Sequence, residues 1–171
     1  MHLVRLFRTN DSAMNLVLRV TLAVVFLPHG AQKLFGWFGG GGFDGTMGYF
    51  TAKLGVPAPL AFLVIMAESL GAIGLALGAG TRIAAAGIVA VMLGAVKMAH
   101  WQNGFFMNWS GGQGGEGFEY HLLVLGIASV LVVYGGGRLS VDRWIAAWLE
   151  RRAHHEEPTA GPAGIPARKH A

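Results

Sequence analysis

The chain has 171 residues, of which 53% are hydrophobic and 13% charged, with 27 glycines, no cysteine and a formal net charge of +4. An ordinary soluble domain carries about 25% charged residues, so this chain is too sparsely charged for one and suits a single membrane domain. Without cysteine it has no disulfide, dithiol redox pair, cysteine-bound iron–sulfur cluster or thiol nucleophile, and its scattered basic residues exclude a nucleic-acid-binding patch.

In chain order, Asn10, Asp11 and Ser12 are helix-capping residues before a first apolar run at 15–35. Arg19, His29 and Lys33 interrupt this run, and Pro28 is tolerable there as a kink or as an opening that frees a carbonyl. Arg19 is expected to snorkel or to neutralise a carboxylate or headgroup. Arg5 and Arg8 precede the run as in a signal peptide, but no small-residue cleavage site follows it, so retention is expected. Residues 35–56 mix glycine with Trp37, Phe38, Phe43, Tyr49 and Phe50 and read as an interfacial cap over the bundle.

A second run at 57–79 opens on Pro57 and Pro59, closes on Gly78 and Gly80, and carries Glu68 near its middle. A third covers 82–101, and a fourth covers 118–134 and stops at Gly135, Gly136 and Gly137. Each run is about twice the usual strand length, and backbone groups in lipid need internal partners, so all four read as helices. Gly74 with Gly78, and Ala86, Ala90 and Gly94, form small-residue faces for close helix contact within the bundle or between copies in a homo-oligomer. After the fourth run, Leu139, Ser140 and Trp144 suggest a staple and cap. Trp144, Ile145, Trp148 and Leu149 oppose Asp142, Arg143, Glu150 and Arg151, as in a helix lying on a lipid surface.

The reading is therefore all-α: a four-transmembrane-helix bundle with an interfacial C-terminal helix. The membrane domain covers 1–153, including the amphipathic helix 139–153, and 154–171 form a disordered tail. Arg5, Arg8, Arg82, Arg138, Arg143, Arg151 and Arg152 gather on one side, which puts both termini in the cytoplasm of a multi-pass protein of the inner or plasma membrane, in contact with lipid.

Polar residues inside the runs are the functional signal. His29 and Lys33 are i,i+4 neighbours, Lys97 and His100 are i,i+3 neighbours, and Glu119 and His121 start the fourth run on the same side, with Glu68 deepest. A carboxylate in lipid needs a partner, and Lys33 or Lys97 would serve. The cluster reads as an interhelical clamp or as a proton-transfer group of Glu68, His29, His100 and His121. No metal site is expected, because no metal-ligand spacing is present and two lysines would repel a cation.

The blocks PHGAQKLFGWFGG, AESLGAIGLALG, KMAHWQNGFF and FEYHLLVLG, in this order across about 13–137, resemble the DoxX family of small membrane proteins. The resemblance implies a four-helix protein tied to respiratory or oxidative-stress oxidoreduction, with members described as quinol-oxidase or thiosulfate:quinone oxidoreductase subunits. Some are linked to a membrane complex with superoxide dismutase and a sulfurtransferase. His29, Lys33, Glu68, Lys97, His100, Glu119 and His121 match the family's motif positions. On this basis the cluster would assist proton transfer to a quinone or quinol, with Lys33, Lys97, Trp101 and Glu119 as its pocket or as a polar clamp. Trp101, Trp109 or Phe105 would stack on the ring or anchor at the interface, and a protein partner would supply electrons. The alternative is a nonenzymatic scaffold or small-molecule carrier built on the same polar cluster.

Overall fold

The computed structural model describes the backbone of residues 6–156 and the side chains of residues 6–152. It is all-helical among the described residues, with α1 (Ala13–Phe35), α2 (Gly42–Gly48), α3 (Ala58–Leu77), α4 (Thr81–Ala95), α5 (Glu119–Tyr134) and α6 (Val141–Glu156). α1, α3, α4 and α5 form a closed ring in which α1 and α4 each touch both α3 and α5. Leu22 and Phe26, Ala72 and Leu75, Ile88 and Met92, and Val124 and Leu131 meet along its axis.

Three helical stretches are long and apolar enough to cross a membrane: Ala13–Phe35, Ala58–Leu77 and Thr81–Asn103. The last joins α4 to a π-helical turn at Val96–His100 and a 3-10 turn at Trp101–Asn103. α5 is apolar but has only 16 residues, about 24 Å of rise against a hydrocarbon core near 30 Å. α6 reaches Glu156, three residues into the segment read as a disordered tail. The remainder of that segment, 157–171, lies outside the described residues.

Local signals set the helix ends. The Ser12 hydroxyl accepts the Asn15 N–H and starts α1, which runs through Pro28 to a left-handed cap at Gly36. Gly78, with φ of 66°, ends α3 against Ser140 of the segment leading into α6. The small-residue expectation needs correction here. Gly78 is a helix cap, not part of a helix-packing face, and Ala86 and Ala90 are exposed. Gly74 does face α4, where an added Cβ would lie 3.8 Å from Ala84 Cβ, and closer contacts use Gly30 on α1 and Gly87 on α4, the latter with an added Cβ 3.3 Å from Ala67 Cβ.

Arg19 also departs from expectation. It is 1% exposed, buried inside the fold. Its guanidinium uses all five donors on backbone carbonyls: Leu75 and Ala76 at the end of α3, and Gly136, Arg138 and Leu139 after α5. Arg82 does the same for α5, donating to the Val132 and Val133 carbonyls. Asp142, expected on the solvated side of the last helix, is 1% exposed. Its carboxylate accepts the Gly80 and Thr81 N–H groups at the start of α4, at 2.6 and 2.8 Å.

α6 therefore docks through Asp142 and Ala146 and turns Trp144 and Trp148 outward. Ser140 caps it by accepting the Arg143 N–H. The expected Leu139–Trp144 staple does not form, because Leu139 takes a positive φ of 52° and both side chains are largely exposed.

Arg19→Ala leaves five carbonyls without their donor, whereas Arg143→Gln removes only an exposed partner of Asp11. In detergent unfolding, Arg19→Ala is expected to cost about 3–5 kcal/mol and Arg143→Gln less than about 1 kcal/mol. Equal losses would overturn the account of Arg19 as the staple of this end.

Candidate functional site

α1 and α3 approach most closely at Gly30. An added Cβ there would lie 2.5 Å from the Glu68 carbonyl oxygen and 2.7 Å from Ser69 Cα, and the Ser69 hydroxyl donates to the Gly30 carbonyl at 3.3 Å. Lys33 follows on α1 within a turn, so the same crossing brings its Nζ to 2.5 Å from Glu68 Oε2. The two side chains are 22% and 7% exposed. Of the two lysines considered as partners for Glu68, the structure selects Lys33.

His100 and Lys97 separate for a geometric reason. Residues three apart in an α-helix lie about 60° apart around the axis, but at about 4.4 residues per turn in π winding they lie about 115° apart. Both residues fall in the π turn Val96–His100. His100 lines a cavity in the bundle, while Lys97 is exposed outside that lining.

The cavity has a volume of about 860 Å³. Its walls are mostly apolar, with Phe26, Val64, Ala67 and Met98 among them, and Tyr49 and Phe50 of the 35–56 segment close over it. Ala90 and Gly94 line it as well, so part of the small-residue stripe on α4 makes space here instead of a helix contact. His29, Lys33, Glu68, His100 and His121 all stand on its wall.

The polar end of the cavity is organised by the loop before α5. His100 Nδ1 lies 2.9 Å from the Glu116 carbonyl oxygen. A carbonyl only accepts, so Nδ1 carries the proton and Nε2 of the neutral ring is an acceptor. The His100 and His121 rings lie 4.2 Å apart between centroids. His121 is 6% exposed, and its Nδ1 has no hydrogen-bond partner; neither does the buried hydroxyl of Tyr120. Both residues line the cavity. Tyr120 is not among the residues singled out from the sequence, where its one signal is its place beside His121 in FEYHLL.

The remaining expected pocket residues lie elsewhere. Glu119 accepts the Met107 N–H at 3.0 Å and holds the loop. Trp101 is 68% exposed and stacks on Phe118 at 5.4 Å, with the rings 9° from parallel. Phe105 meets the same Phe118 ring edge-on, and Trp109 is exposed. Lys97, Trp101 and Glu119 are thus not part of the cavity lining. Among the described residues, no three His, Cys, Asp or Glu side chains are grouped to hold a metal ion.

Comparison with protein families matches the DoxX family model to residues 14–101, which spans α1, α3, α4 and the π turn. No curated protein and no solved structure matches the chain.

Removing one member of a buried ion pair strands the other. Lys33→Met is expected to cost about 3–5 kcal/mol in detergent unfolding, and adding Glu68→Gln to it is expected to recover most of that loss. Additive losses in this double-mutant cycle would show that the pair is not coupled. Gly30→Ala forces α1 from α3 and is expected to cost about 1–3 kcal/mol in the same assay.

Proposed function

Because the chain belongs to the DoxX family, we propose that this multi-pass membrane protein is an oxidoreductase-associated subunit whose cavity takes a quinone or quinol and whose polar side chains handle its protons. The observation that carries the reading is a mostly apolar cavity of about 860 Å³ whose wall includes His29, Glu68, His100, Tyr120 and His121, the last two each keeping a buried polar atom without a partner. A buried polar atom left unpaired costs about 1–3 kcal/mol. A ligand with an apolar body and ring oxygens suits both the apolar walls and this polar lining.

A quinone, when bound, supplies two-electron, two-proton chemistry. Tyr120 and His121 would hold its oxygens. His100, with Nδ1–H committed to the Glu116 carbonyl, offers Nε2 as a proton acceptor. The Glu68 carboxylate, balanced by Lys33, keeps an acidic group at the cavity wall, and His29 stands on the same wall. Tyr49 and Phe50 cover part of the cavity. Electrons come from a protein partner or a second bound cofactor, since the chain has no cysteine with which to relay them.

In this reading α5 is the fourth span. The arginine-rich end, with both termini, faces the cytoplasm, and the cavity lies in the outer half of the bilayer. A nonenzymatic scaffold or carrier is the second reading, favoured by the closed Lys33–Glu68 pair, which already satisfies the deepest acid.

In nanodiscs, a ubiquinone or menaquinone analogue is expected to bind saturably at one per chain. Tyr120→Phe and His121→Ala should each weaken it roughly threefold to tenfold, the worth of one buried hydrogen bond. Ala90→Leu should block binding by filling the cavity without touching a polar group. Folded wild-type protein that shows no saturable binding would remove the quinone reading in favour of the scaffold.

A further inference from the structure

At the opposite end of the bundle from the polar cavity, a separate cleft of about 500 Å³ lies between the chain before α1, the start of α4 and the end of α5. Arg8, Thr9, Asn10, Arg82, Val133 and Tyr134 line it. We propose that this cleft binds the headgroup phosphate of an anionic phospholipid.

The argument begins with Arg82. Its Nη1 donates to the Val132 and Val133 carbonyls at 2.7 and 2.6 Å, and its Nη2 donates to the Arg8 carbonyl at 3.0 Å. These neutral acceptors fix the guanidinium in place without cancelling its charge. Among the described residues, no carboxylate lies within 4.0 Å of it. Arg8 is tied through its backbone to the same group, while its side chain is 73% exposed and, among the described residues, forms one ion pair, with Glu150 at 3.9 Å. Two guanidinium groups therefore line one cleft, Arg82 with one Nη2 hydrogen beyond those given to carbonyls and Arg8 with an exposed side chain at the edge of Glu150, and Arg donors suit phosphate oxygens.

The surroundings favour a negatively charged ligand. Among residues with described side chains, Arg8, Arg19, Arg82, Arg138, Arg143, Arg151 and Arg152 belong to this end, against Asp11, Asp142 and Glu150. Asp142 is buried under α4, and Asp11 is engaged by Arg138 and Arg143. The rest of the cleft selects a lipid over a free anion. Val133 and Tyr134 are 59% and 54% exposed and extend its wall along the apolar flank of α5, where an acyl chain would lie. Tyr134 sits at the helix end, the depth at which aromatic rings meet headgroups.

The test compares phosphatidylglycerol with phosphatidylcholine of the same chain length, added to the full-length detergent-purified protein and read by native mass spectrometry. One phosphatidylglycerol should be retained at least about tenfold more strongly than phosphatidylcholine. Arg8→Gln should weaken that retention roughly fivefold, as expected for one basic residue at an anionic headgroup. Arg8 is the variant of choice because Arg82 also caps α5, and an unchanged thermal midpoint in Arg8→Gln separates lost binding from lost folding. Arg151→Gln, which removes a charge from the same end but outside the cleft, should leave retention unchanged. Equal retention of the two lipids, an equal loss in Arg151→Gln, or displacement of phosphatidylglycerol by millimolar inorganic phosphate would each overturn the assignment. None of these outcomes depends on quinone binding.

Discussion

Every helix ends in backbone groups that its own hydrogen bonds cannot reach, and in a membrane protein the helix ends that pack inside the fold have little water to satisfy them. This constraint explains the arginine-rich end. Arg19 closes the carbonyls that end α3 and those that follow α5, Arg82 closes the carbonyls that end α5, and Asp142 closes the N–H groups that begin α4. α6 is recruited by the same need, since Asp142 belongs to it and the backbone before it supplies acceptors for Arg19. The helix is held chiefly by a charged side chain satisfying another helix, and its tryptophans remain free to face lipid. Lipid offers little hydrophobic drive between helices, so close packing and such polar closures together hold the bundle.

The other end is built differently. There the Glu68 charge is answered by Lys33, but Tyr120 and His121 keep buried polar atoms with no partner beside a cavity of about 860 Å³. At the arginine-rich end side chains close most of the helix termini, with Thr81 Oγ1 and Arg82 Nε left without partners, whereas the other end holds the larger cavity. The loop between α4 and α5 maintains this state: Glu119 and Glu116 hold its backbone, and the Glu116 carbonyl fixes the His100 ring. Polar groups that might have been drawn into the cavity are engaged in shaping its rim.

Small residues serve two opposite purposes. Gly30 lets α1 and α3 touch backbone to backbone, which sets the distance from Lys33 to Glu68. Ala90 and Gly94 on α4 line the cavity and leave room for it. A small side chain permits either close approach or empty space, and the neighbouring helix determines which results. The π turn in the third span has a comparable effect, turning His100 inward and Lys97 out.

Much of this molecule was legible along the chain. The apolar runs, the stops at Gly78 and Gly135, the cap at Ser12 and the gathering of arginines at one end depend on local hydropathy, backbone freedom and charge, and a sequence carries these directly. The polar residues His29, Lys33, Glu68, His100 and His121 stood out because charge is costly inside apolar runs. The partner of each depended on tertiary structure. Lys33 over Lys97 for Glu68, carbonyls over headgroups for Arg19, a buried Asp142 and an unsatisfied Tyr120 all follow from how helices distant in sequence cross and wind. The cost of burying a polar group is a property of the residue, whereas the atom that meets that cost is a property of the fold.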